Sequence, residues 1–493
     1  MAVSNIGKGA ILSYVAIVFN IAISFFYTPW MIKQIGLSDY GLYNLALSFI
    51  SYFVLDFGLN QAVQRFIAKY RAENDELMVS KMIGITTRVY LIIDSVIFAI
   101  LLILYFFLEG IFTGLTPVEI ERLKVLYAIA GICSVLSFMF RPMAGVMMAY
   151  EYFVEEKILE LINRVGAVLL ICIALLLGAD VFALVLVNGI VSVLTSFFKF
   201  IVFKRKSKLK ILWSYFDKNQ LKAIFSFSLW TMGTGLAQRM RITIIPTILG
   251  ILSNSHEIAI FALYMSLDAM FYSFTSAMNG LFMPKVARAV VSEDREAISE
   301  LMIKVGRLQL YIITLLFTGF CVFGSQFIHL WVGDEFKDVY LLLIMGTLVQ
   351  PILLTQTIAK DLIYIENKIK YSAMVLFITS IIGLLAIILL VPKHGALGAG
   401  IGSTIGDIFY LVWINYFYGR GLKLNMKIFF CECHGRILPL LAVFSCLSYM
   451  LTRMLAIDNW LYFGVAVFVY TIIFGAICYC LLFNKYEKSL IQR

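Results

Sequence analysis

MIGITTRVYLIIDSVIFAILLILYFFL, residues 82–108, is apolar around the whole circumference of a helix and carries two charges, Arg88 and Asp94. Coiled at 1.5 Å per residue, a run of this length is about 40 Å long, more than the ~30 Å of a bilayer's hydrocarbon core. Similar runs recur along the chain, and the alternating ten-residue strands of a membrane barrel are absent. The expected fold class is therefore all-α, a polytopic membrane protein. Composition agrees: 61% of the 493 residues are hydrophobic, 14% are charged and the mean hydropathy is +0.92, values that a soluble multidomain protein does not reach.

The hydropathy pattern predicts about fourteen helices, near 10–32, 41–64, 82–108, 122–149, 162–178, 181–203, 223–250, 257–283, 305–328, 340–365, 372–391, 397–418, 437–456 and 460–483. An even number puts both termini on one side of the membrane. About 28 of the 40 basic residues fall in the loops and span ends of that side, among them Arg65, Lys69, Arg71, Lys81 and the cluster Lys204, Arg205, Lys206, Lys208 and Lys210. The asymmetry makes that side cytoplasmic. MAVSNIGKGA lacks a small-residue cleavage site ahead of the first run and reads as the start of a retained helix. The net charge of +10 is then met by anionic headgroups rather than by nucleic acid.

Displacing the sequence by 218 positions superposes Thr28-Pro29 on Pro246-Thr247, Asn20 on Gln238, and DYGLYNLAL (39–47) on EIAIFALYM (257–265). The offset spans six helices, so the halves are expected to be parallel repeats about an axis along the membrane normal, with substrate between them. The expected organisation is an N-lobe at 1–203, a cytoplasmic amphipathic linker at 204–222, a C-lobe at 223–418, and two further helices with a tail at 419–493. In the linker, lysines mix with Trp213, Tyr215 and Phe216, as on an interfacial helix.

Several chemistries are disfavoured. Cys431, Cys433 and His434 lack a fourth zinc ligand nearby, so no metal site is assigned. Gly398, Gly402 and Gly406 recur every four residues along one helical face, which fits close packing of a neighbouring helix better than a phosphate-cradling loop. There is no Walker motif, HExxH or GxSxG, no soluble domain, and no long outward loop of the kind sugar polymerases use. The chain is not expected to be an enzyme or to hold a cofactor.

TPWMIKQIGLSDYGLYNLALSFISYFVLDFGLNQAVQRFIAKY, residues 28–70, resembles the opening of the polysaccharide-transport flippases, the Wzx-type O-antigen translocases of the multidrug/oligosaccharidyl-lipid/polysaccharide superfamily. The resemblance rests on the turn with Gly36, Tyr40 and Gly41, on Asp56, Gly58 and Leu59, and on Arg65 with Tyr70; PKHGALGAGIG adds to it. It implies two six-helix lobes around a cavity that opens alternately to each side. It also implies a substrate of oligosaccharide on a polyprenyl diphosphate carrier, moved to the periplasmic leaflet of a bacterial inner membrane for lipopolysaccharide or similar surface glycan. Polymerase and chain-length machinery would be partners. Members that flip the peptidoglycan precursor carry arginines in helix 1, where this chain has Asn20. The turn also has a local reading, with a left-handed Gly36 ending helix 1 and Ser38 or Asp39 capping helix 2.

LAQRMRITIIPT, residues 236–247, places Arg239 and Arg241 inside a span, at a cost of roughly 2.5–3.5 kcal/mol each if they faced lipid. Guanidinium forks match diphosphate oxygens, so Arg239, Arg241, Gln238, Arg141 and Arg88 are the candidate substrate contacts. Gln238 and Arg241, three apart, share a helical face. The alternative is structural pairing, of Arg239 or Arg241 with Asp268 and of Arg141 with Asp56; Arg88, Lys199 and Lys360 lie near cytoplasmic ends, where they can snorkel. Asp94, Asp268 and Asp407 are candidates for coupling to a proton or sodium gradient. The rival function, a multidrug or cation antiporter of the same superfamily, calls for a predominantly acidic cavity.

Overall fold

The computed structural model describes residues 25–54, 59–207, 243–276, 282–366, 368–453 and 457–485. It also describes shorter pieces at 212, 215, 217–218, 220–222, 224–225, 236, 239–241 and 487–488. The described residues form helices, turns and short connections, with no strand among them. Asp56, Gly58 and Gln238, most of the expected span 10–32, half of the expected span 223–250 and much of the 204–222 linker fall outside them.

In chain order the elements are α1 (25–35), α2 (Leu37–Phe53), α3 (Leu59–Ala72), α4 (Glu76–Ile111), α5 (Pro117–Phe138), α6 (Pro142–Ala149), α7 (Phe153–Leu176) and α8 (Val181–Ser207). There follow α9 (Ile245–Leu252), α10 (Ser255–Ser276), α11 (Met283–Val291), α12 (Arg295–Val332), α13 (Asp338–Thr347), α14 (Thr357–Ile365), α15 (Ile369–Gly421), α16 (Ile437–Arg453) and α17 (Trp460–Ile477). Among the described residues, nine helical stretches are long and apolar enough to cross a membrane. One of them, Ile369–Arg420, holds two of the expected spans.

Among the described residues, three expected spans are broken. The single helix expected at 41–64 is two, because α2 ends at Phe53 and Val54 leaves the helical region at φ −84°, ψ 48°. The one expected at 122–149 divides into α5 and α6 beside Pro142, whose missing N–H suits the first turn of a new helix. The one at 340–365 is interrupted between α13 and α14 by short turns that contain Pro351.

The chain forms two compact units, Met1–Ala259 and Ile260–Arg493. This division differs from the lobe boundaries read from the repeat, since α9 packs on α2 within the first unit. The core of the first unit is built on α2, where Leu42, Leu45 and Ala46 are fully buried and Phe49 meets the Phe112 and Tyr127 rings.

In the second unit, α15 is a hairpin in all but name. Its 53 residues would make a rod of about 80 Å, but Gly395, at φ 53° and ψ −132°, bends it into two arms. The glycine face expected on the second arm packs on the first. A Cβ on Gly398 would stand 2.5 Å from the Leu390 carbonyl oxygen, one on Gly402 2.6 Å from the Ile387 nitrogen, and one on Gly406 3.1 Å from the Gly383 Cα. Such backbone proximity is what small residues allow between membrane helices.

Candidate functional site

The α2 helix starts at Leu37 and ends at Phe53, so Ser51 lies about 21 Å along it, in its last turn. The last carbonyls of any helix have no intrahelical donor, and in lipid no water replaces it. Two arginines supply donors here. Arg141, at the N-terminus of α6, donates Nη1–H to the Val54 carbonyl at 3.1 Å, and Arg239 donates Nη1–H to the Ser51 carbonyl.

Arg141 and Arg239 lie within electrostatic range of one another, a like-charge pair at one helix end. The Arg141 guanidinium also covers the Phe138 ring at 5.3 Å. Ser51 carries the one hydrogen bond Arg239 makes among the described residues. The buried Tyr52 and Thr247 hydroxyls lie beside one another, with Tyr52 within electrostatic range of Arg239. The α2 C-terminus favours cations, and the cations in turn favour an anion.

The remaining candidates spread more widely. Arg241 lies on the same short turn as Arg239 and is half-buried. Arg88, on α4, is half-buried and has no hydrogen-bond or ion-pair partner among the described residues; Lys199 pairs with Glu156 at 2.8 Å. Asp94, also on α4, is 7% exposed, and its Oδ1 finds no partner among the described residues. Asp268 accepts a hydrogen bond from Gln350 Nε2 at 2.8 Å, and Asp407 is half-buried on the second arm of α15. Of the Cys431, Cys433 and His434 group, the latter two are buried, with His434 Nε2 3.2 Å from the Thr355 hydroxyl.

The turn before α2 is built as a junction. Gly36 adopts φ 85°, the positive region expected of it, and its N–H closes α1 on the Ile32 carbonyl at 2.8 Å. A Cβ on Gly41 would stand 2.2 Å from the Ser255 carbonyl oxygen, so only glycine lets α2 pass the start of α10. Tyr40 is 3% exposed.

The capping expected of Ser38 or Asp39 is not seen, because the helix begins at Leu37 and both residues lie in its first turn, aimed at neighbours. Ser38 and Ser255 share the Glu119 carboxylate, and Asp39 pairs with Arg122 at 2.6 Å. Arg122 also holds Asp180 at 2.7 Å, tying α2, α5 and the α7–α8 connection together. Hydropathy gave no signal for this clamp, since its members are separate loop-end charges.

Residues 6–291, more than half of the chain, match the model of the polysaccharide biosynthesis protein family. The chain belongs to that family. No curated protein matches it. Among solved structures, this family member is similar to the lipid II flippase MurJ in an inward closed conformation, at 15% identity over 96% of this chain and 98% of that one, with a TM-score of 0.72.

An inward-facing multidrug resistance MATE transporter of the MOP superfamily is similar at 15% identity over 81% of this chain and 98% of that one, with a TM-score of 0.63. A MOP superfamily transporter from Pyrococcus furiosus with a binding pocket of reverse polarity gives 14%, 84%, 94% and 0.56 in the same order. At these identities the likeness is one of fold. This polysaccharide biosynthesis family member is a multi-pass membrane protein with the fold of MOP superfamily flippases and transporters, and the proteins it resembles are transporters, not enzymes.

Proposed function

We propose that the chain is a flippase that carries a polyprenyl-diphosphate-linked oligosaccharide from the cytoplasmic to the periplasmic leaflet of a bacterial inner membrane, by alternating access. Its product would feed surface polysaccharide assembly of the O-antigen type, beside a polymerase and chain-length machinery. The observation that carries this reading is the meeting of Arg141 and Arg239 at the end of α2. Two guanidinium forks can donate N–H bonds to the oxygens of a diphosphate, which otherwise crosses hydrocarbon at great cost. Arg241 and Arg88 add positive charge on the same unit, and Gln238 is a further candidate contact.

A cation antiporter instead needs an acidic site. Asp94, Asp268 and Asp407 are the acids offered for coupling to a proton or sodium gradient, and Asp94, buried and unpartnered among the described residues, is the strongest of them. The excess of basic residues on the side of the termini supports cytoplasmic ends. The test is deletion of the gene, followed by identification of the carrier-linked glycan that builds up on the cytoplasmic face. Accumulation of a completed diphosphate-linked oligosaccharide is expected; normal surface glycan with heightened sensitivity to cationic drugs would assign the antiporter instead.

A further inference from the structure

The two arms of α15 meet backbone to backbone where the glycines are and carry larger side chains beyond them. Past Gly406 and before Thr379, the facing positions carry Tyr371, Met374, Val375 and Ile378 on the first arm and Trp413, Tyr416 and Phe417 on the second. These side chains line an open groove of about 480 Å³, with the Tyr371 and Phe417 rings stacked at 5.5 Å. Lys368, Arg420 and Gly421 close its end. Lys368 is held by Glu366 and the Gly421 carbonyl, each at 2.8 Å, so its charge is largely answered. Arg420 is exposed, with its guanidinium over the Tyr416 ring at 5.3 Å.

The groove is thus apolar and aromatic along the helices, with a cation at its mouth. By the charge asymmetry, that mouth lies at the cytoplasmic headgroup level, where the leaflet is rich in anionic lipid. We propose that the groove between the arms of α15 is a binding site for an anionic phospholipid, its acyl chain along Trp413 and Phe417 and its phosphate on Arg420. A zwitterionic lipid fills the apolar part equally well, so selectivity rests on the Arg420 charge. The site is separate from the α2 arginines and belongs to the second unit alone.

The test uses the full chain in nanodiscs and the fluorescence of Trp413, one of six tryptophans, taken as the signal lost in Trp413→Phe. Brominated phosphatidylglycerol is expected to quench that component at least twofold more than brominated phosphatidylcholine at equal mole fraction. Arg420→Gln, an exposed position where folding is not at stake, should bring the two lipids level. Equal quenching in the unchanged protein, or a preference that survives Arg420→Gln, would overturn the site. Both leaflets of a nanodisc carry the same lipid, so an inverted topology would not alter the result, nor would a different transported substrate.

Discussion

Arg141 and Arg239 reach the same end of α2 from distant parts of the chain, one donating to the Val54 carbonyl and the other to the Ser51 carbonyl. A helix end inside lipid leaves carbonyls without donors, and two cations side by side repel. Each problem moderates the other, and a bound diphosphate would complete the arrangement by neutralising both charges.

Asp94 bears on energy coupling. An ionised carboxylate at a buried position without a partner is costly, so removing its charge should not harm folding. Asp94→Asn is expected to reach normal abundance in the membrane while transport loses its dependence on an imposed proton or sodium gradient. Gradient-dependent transport at the unchanged level in the variant would remove Asp94 from the coupling step.

The Arg122 clamp is a matter of stability. Its partner Asp39 is 13% exposed and Asp180 48% exposed, so Asp39→Asn should cost more than Asp180→Asn, the latter within about 1 kcal/mol. Arg122→Ala leaves two carboxylates facing each other and should be the worst of the three. Thermal unfolding in detergent orders them, and an Arg122→Ala protein as stable as the parent would deny the clamp its role.

Gly402 tests the α15 hairpin. The sequence alone implies that Gly402→Ala is mild and Gly402→Leu damaging, but the Ile387 nitrogen would lie 2.6 Å from the added methyl. Gly402→Ala should therefore destabilise by about 1–3 kcal/mol, as overpacking does. Gly464→Ala, where nothing lies within 4 Å, should be close to neutral. Equal melting temperatures for the two alanine variants would contradict the packing.

Glu366 supplies a pH dependence in the connection before α15. Burial raises its carboxyl, but Lys368 and Arg295 outweigh burial and hold it below the usual carboxylate range. A folded-state pKa below the unfolded one contributes stability above the unfolded value and loses it as pH falls through the folded value. Glu366→Gln should be less stable than the parent at neutral pH, and the two should converge in acid. A constant gap across that range would mean the carboxylate's charge is not what stabilises.

Much of this architecture is written in hydropathy, because span length is set by bilayer thickness and the expected run 82–108 lies wholly inside α4. Gly36 was legible for a similar reason, since few residues tolerate its positive φ. The break after Phe53 was not, because the run 41–64 stays apolar enough on average to read as one span and hydropathy does not register the backbone angles at Val54. Pro142 marks the other break, yet proline also occurs in unbroken membrane helices. Arg239 and Arg241 stood out as misplaced charges, but which of them meets α2, and its meeting with Arg141, depends on tertiary contacts that a 3.6-residue period does not encode.

The central claim is that the arginines at the end of α2 hold a diphosphate in transit. Its most direct test is flipping of a fluorescent polyprenyl-diphosphate oligosaccharide in proteoliposomes, normalised to folded protein, for the parent, Arg239→Lys, Arg239→Ala and Arg141→Ala. The expected result is a fall of at least tenfold for each alanine variant and a smaller one for Arg239→Lys, which keeps charge but not the fork. Folded Arg239→Ala and Arg141→Ala proteins that flip the lipid at the parental rate would contradict the claim and leave the arginines as caps of a broken helix.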